Sequence, residues 1–178
     1  MTLRDFDGAF AAYHESLRLG APLKDNTFSL GVWHYLQGNY TKAALSFNAC
    51  LPCESETAIA AVYWHTLSCY RSGCNPNLLD TYSTLRDVGH HQAYLLSVSV
   101  FCGNLGWQQA AAQAEQAPPL DAAILFYGIY CHLMFCGKLT ESAYFLQQVL
   151  AQKEVWPCIS YLAAWGDSTK ALSQLSAP

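Results

Sequence analysis

The chain has 178 residues, enough for one domain or one short repeat array with a real core. Hydrophobic residues make up 52% and charged residues only 12%, about half the usual charged share, which excludes a disordered chain and favours buried partner contacts. With a net charge of −4 and nine Lys and Arg there is no basic stripe, so nucleic-acid binding is not expected.

The N-terminus, MTLRDFDGAF, is polar and lacks the apolar segment of a signal peptide. Eight cysteines without a secretory signal point to reduced thiols and a cytoplasmic location. The first predicted helix covers 5–19, with Phe6, Phe10, Tyr13 and Leu17 along one face. A second covers 26–36, and Gly38-Asn39 hinges it to a third over 40–52. Phe6, Ala9 and Tyr13 recur as Tyr40, Ala43 and Phe47, each 34 residues later. Those positions fall at i, i+3 and i+7 of a helix, so they share one buried stripe, and the small alanine admits a close neighbour.

The helix–turn rhythm continues with a long apolar helix over 58–71 and a further helix over 76–87, ended by Gly89. Helices over 91–103 and 107–116 follow, and Pro118-Pro119 open one over 122–136. Helices over 139–152, 155–165 and 168–176 complete a count of eleven. No stretch sustains a period of two, so no sheet is expected. The longest apolar run, Ala122 to Cys136, is interrupted by His132 and falls short of the ~20 residues of a spanning helix. Between Val88 and Gly137 the only charged side chains are Glu115 and Asp121, which marks a segment that is well buried or covered.

The 34-residue period, with Leu30-Gly31, Gly38-Asn39-Tyr40, Ala43 and Phe47, resembles the tetratricopeptide repeat (TPR). Thr27, His34, Cys50 and Ser55 depart from its usual residues. The resemblance is clear over 5–52 and weak over 56–176. It implies an all-α fold: a right-handed α-solenoid of about eleven antiparallel helices in a single domain, 1–178. Residues 5–19 would be the second helix of an incomplete repeat and 26–52 the clearest repeat. Degenerate repeats would cover 56–87, 90–116, 119–152 and 154–176.

In that family the first helix of each unit lines a concave face. Carried onto this chain, the face comprises Phe28, Val32, Tyr35 and Leu36, then Tyr63, Leu67 and Tyr70. The family's carboxylate clamp uses Lys, Arg and Asn there, whereas this face is apolar with Arg71 as the nearest cation. Such a groove suits a helical or extended apolar segment of a partner, the reading favoured for Phe28, Val32 and Tyr35; in the middle repeats the aromatics equally suit the filling of a tightly wound superhelix. The N-terminal stripe of Phe6, Phe10, Tyr13 and Leu17 would lie open at the end of the array. Arrays usually blunt that end with a polar cap, so either a partner covers it, or the chain is a truncated or alternative form, or the end packs on the next pair and tolerates some exposure.

Cys50-Leu-Pro-Cys53 has the spacing of a redox or zinc motif. It falls at a helix C-terminus, where the dipole raises rather than lowers a thiol pKa. The next cysteines, Cys69 and Cys74, lie beyond a helix that would carry them ~20 Å away. No catalytic motif appears and the carboxylates are scattered, so neither enzymatic activity nor a cofactor, a metal or a small-molecule substrate is expected. The expected function is a non-catalytic scaffold or adaptor subunit of a hetero-complex, binding one or more proteins. The alternative is a small TPR-type chaperone of the secretion-system class that shields a hydrophobic client segment.

Overall fold

The structure is a computed structural model that describes residues 5–20, 23–51, 55–82 and 87–175. The described residues form helices joined by turns and short loops, without strands. In chain order they form α1 (Phe6–Arg18), α2 (Leu23–Leu36), α3 (Tyr40–Ala49), α4 (Ser55–Ser72) and the single turn α5 (Leu79–Tyr82). They continue with α6 (Gln92–Phe101), α7 (Trp107–Ala114), α8 (Pro119–Phe135), α9 (Leu139–Ala151) and α10 (Ile159–Leu175). A 3-10 turn, Lys153–Val155, precedes α10.

The expected eleven helices therefore become nine of eight residues or more, plus the one turn of α5. Two expectations account for the difference. The helix expected over 76–87 is represented among the described residues by α5 alone. The two helices expected over 155–165 and 168–176 are one, α10, which runs through Gly166 and Asp167. A glycine inside a helix costs only about 1 kcal/mol relative to alanine. Here the helix is also held from the side, because Asp167 pairs with Arg71 of α4.

One turn geometry recurs. At the ends of α2, α6 and α8 the chain closes on Gly38, Gly103 and Gly137, with φ of 79°, 74° and 76°. Each glycine N–H donates to the carbonyl three residues back, those of Tyr35, Val100 and Met134. The following N–H donates to the carbonyl five residues back, those of His34, Ser99 and Leu133. This Schellman closure satisfies the last carbonyls of a helix and needs a left-handed residue, which explains glycine at each position. It makes hairpins of α2–α3, α6–α7 and α8–α9.

Close approach sets the packing of the first hairpin. A Cβ on Gly31 would stand 2.7 Å from Cε1 of Phe47, so α2 meets α3 against the face of that ring. Ala43, Ala44 and Phe47 are the buried residues of α3. The helices then pack in sequence, α2 on α3 and α3 on α4, with α1 against α2.

Beyond α4 the arrangement changes. Helix α8 touches α4, α6, α7, α9 and α10, and every residue from Ala122 to Cys131 is buried. A Cβ on Gly128 would lie 2.9 Å from Oγ of Ser97 and 3.1 Å from Cε2 of Tyr63, which brings α8 against both α6 and α4. The last helix packs on α8 and α9 and also reaches back to α2. In a strictly linear stack each unit touches only its neighbours. Here the final helix closes onto an early one. No helix among the described residues is long and apolar enough to cross a membrane.

Candidate functional site: the inner wall and its buried ion pair

The closure of α10 onto α2 gathers four polar side chains and a thiol in the apolar interior. Arg71 comes from the last turn of α4, Tyr35 from α2 and Asp167 from the middle of α10. Tyr127 and Cys131 stand four residues apart on α8, so they share one face. Arg71 and Asp167 form an ion pair whose side chains retain only 14% and 9% of their exposure.

The hydrogen bonds have a direction. A carboxylate paired with a guanidinium only accepts, so the Tyr127 hydroxyl, 3.1 Å from Oδ2 of Asp167, donates to it. That leaves the Tyr127 oxygen as acceptor for the Tyr35 hydroxyl, 3.0 Å away. The Tyr35 oxygen in turn receives the Cys131 thiol at 3.9 Å. Nη2 of Arg71 donates to Asp167 and lies 3.5 Å from the Tyr127 hydroxyl. Its guanidinium also sits 5.7 Å from the Tyr40 ring centroid and 5.6 Å from that of Tyr130, within cation–π range.

Burial raises the pKa values of Tyr35 and Tyr127 well above the ordinary phenol value, so both stay protonated. It pushes the Cys131 thiol up as well. For Arg71 burial works against the charge, and the Asp167 carboxylate paired with it offsets that cost, so the guanidinium stays protonated. Nε of Arg71 is buried without a hydrogen-bond partner. The guanidinium fork is therefore only partly used.

The seven residues assigned to the concave face separate into two groups. Val32, Tyr35, Tyr63 and Leu67 are 1%, 3%, 0% and 0% exposed, so they belong to the core and are not an open wall. The cause is α6, α8 and α10, which pack on α2 and α4. Tyr35 packs edge-on to Trp64 at 5.0 Å, and the Tyr63 hydroxyl donates to the Ile124 carbonyl of α8 at 2.9 Å.

Phe28, Leu36 and Tyr70 remain half-buried. Phe28 meets Phe47 edge-on, and Leu36 lines the seam between α2 and α10 with Tyr40, Leu162 and Gly166. Tyr70 stacks on Phe135 at 4.2 Å, and Phe135 is 59% exposed. Of the N-terminal stripe, Tyr13 is half-buried on α1, while the side chains of Phe6, Phe10 and Leu17 lie outside the described residues.

Cys50 is buried with its sulfur 3.2 Å from Oγ1 of Thr27, and burial raises its pKa. Cys53 lies outside the described residues. His65 and Cys69 are buried together, 3.7 Å apart from Nε2 to Sγ, and the Cys69 thiol donates to the Asn75 carbonyl. Among the described residues no group of three or more His, Cys, Asp or Glu could hold a metal ion.

Sequence reasoning singled out Arg71 but missed Asp167, because Gly166-Asp167 reads as a break between two helices. The available signal was its isolation, since Asp167 is the only acidic residue after Glu154 and follows the apolar run Tyr161 to Trp165. Comparison with protein-family models, with curated proteins and with solved structures gave no match.

Proposed function

We propose that the chain is a non-catalytic interaction scaffold, a TPR-like right-handed α-solenoid that serves as a subunit of a protein assembly. The shared Schellman closures at Gly38, Gly103 and Gly137 support a repeated helix–turn–helix unit. The observation that carries the functional reading is the seat of α10. A helix whose first turns, with Tyr161, Leu162, Ala163 and Ala164, are buried packs on α2 and α8. The inner face thus combines an apolar wall with one buried cation, a chemistry that suits helices.

Two half-covered aromatic surfaces offer further contact area: the stack of Tyr70 and Phe135, and the edge formed by Phe28. Aromatic side chains of this kind anchor protein interfaces. The test is purification of the tagged chain from its native source, followed by recombinant expression of the chain alone. A stoichiometric protein partner is expected in the first. A chain that recovers no partner, and that is stable and monodisperse by itself, would overturn the reading.

A further inference from the structure

We infer that α10 is an exchangeable occupant of the inner wall, and that the site it fills receives a helix from a partner protein bearing a carboxylate opposite Arg71. This rests on the scaffold reading and names the ligand class and regulation of that site.

Three observations carry it. The contact, otherwise apolar through Leu162, Ala163 and Ala164, is polar at one point. A buried ion pair adds little stability over well-packed hydrophobic residues, and its best-attested use is in fixing register or partner choice. Arg71 and Asp167, with Tyr127 donating to the same carboxylate oxygen, set one residue of α10 against one point of the wall.

The pair is also incompletely made. Nη2 of Arg71 serves Asp167 while Nε is buried without a partner. A carboxylate that meets both nitrogens of the fork binds better than one that meets a single nitrogen, so an incoming helix has an interaction to gain.

Finally, the neighbouring surface of α10 is small and its attachment short. Ala163, Ala164 and Gly166 surround the pair on α10, and nothing lies within 4 Å of a Cβ placed on Gly166. The seam against α2 encloses about 10 Å³, at most one water. The connection from α9 is the 3-10 turn Lys153–Val155 followed by Trp156-Pro157-Cys158, in which Trp156 and Pro157 are exposed.

The test uses two fluorescein-labelled peptides spanning residues 159–175, one native and one with Asp167→Asn. Both are titrated by anisotropy onto the full chain carrying Asp167→Asn, whose own α10 offers Arg71 no carboxylate. The native peptide should bind roughly tenfold more tightly than the Asn peptide, the factor set by one charged hydrogen bond. Equal affinities, or no binding to a chain whose circular dichroism shows it folded, would overturn the inference.

Should that chain not fold, the same peptides are titrated onto Tyr127→Phe, which keeps the charge pair and loosens α10. The same order is expected, and equal affinities or no binding overturn the inference there too. A doubling of mass that leaves no site for peptide would assign the wall to a second copy and overturn the partner assignment. Failure of either kind leaves co-purification of a native partner unaffected, whereas loss of that partner defeats the scaffold reading itself.

Discussion

Helices α3 and α8 bury their side chains in opposite ways. In α3 the residues Ala43, Ala44 and Phe47 face inward, while Thr41, Lys42, Leu45 and Asn48 are exposed. Its neighbours α2 and α4 flank it and leave the outer face to solvent. In α8 ten consecutive residues, Ala122 to Cys131, are buried because five helices surround it. A helix with one covered face writes its environment into its sequence as a period of 3.6, whereas an enclosed helix is apolar all round. Asp167 matters because it secures α10, one of the helices that encloses α8.

Breaking that closure should give the largest effect. Asp167→Ala leaves the Arg71 charge buried without its partner and should cost about 3–5 kcal/mol of unfolding free energy. Arg71→Met should cost about as much for the mirrored reason. The double variant Arg71→Met/Asp167→Leu replaces both charges with apolar groups and should return to within about 1 kcal/mol of the native chain, or exceed it. Urea denaturation of the three variants measures this. Additive losses in the double variant would show that α10 is not held through this pair.

The same contrast explains what was legible beforehand. The α2–α3 hairpin was readable residue by residue. Gly31, Gly38, Ala43 and Phe47 each answer a local demand: close approach to a ring, a left-handed turn, or burial of one stripe. The helical class was readable for the same reason. The inner wall was not, because burial of Tyr35 and Tyr63 depends on partners far along the chain, Tyr127 of α8 for the one and Tyr94, Phe101 and Ile124 for the other. Repeat register places a residue on a face but says nothing about what covers that face. Asp167 was hidden by a local rule, since Gly-Asp commonly ends helices and here a tertiary ion pair overrides it.

A smaller test acts on the enclosed helix itself. Gly128→Ala adds a methyl group 2.9 Å from Oγ of Ser97 and 3.1 Å from the Tyr63 ring, in a region without slack. Overpacking of this kind should destabilise by about 1–3 kcal/mol, despite the better helix propensity of alanine. A gain in melting temperature would mean that α8 has room to move between α4 and α6.

Helix α8 and its neighbour α4 also share a pH dependence. Burial lowers the pKa values of His65 on α4 and His132 on α8, so both resist protonation in the folded chain. The unfolded chain takes up those protons near the ordinary histidine value of about 6.5. Stability is therefore fully present above that pH and declines as pH falls through it, because the unfolded state then binds more protons. Replacing both residues with glutamine should flatten the decline between about pH 6.5 and 5 in thermal melts. An unchanged slope would assign the acid sensitivity to other groups.

The smallest effect should come from the outer face of α3. Leu45 is 66% exposed, only two residues from the fully buried Phe47. Leu45→Ala removes little buried area and improves helix propensity, so the isolated chain should change by no more than about 0.5 kcal/mol. The value of so small a change lies in its concentration dependence. If the loss grows when the chain is measured at higher concentration, Leu45 is covered by a second copy, and α3 is not the one-faced helix that the comparison requires. A loss that is small and independent of concentration leaves α3 open outward and α8 enclosed, with the difference written in their sequences.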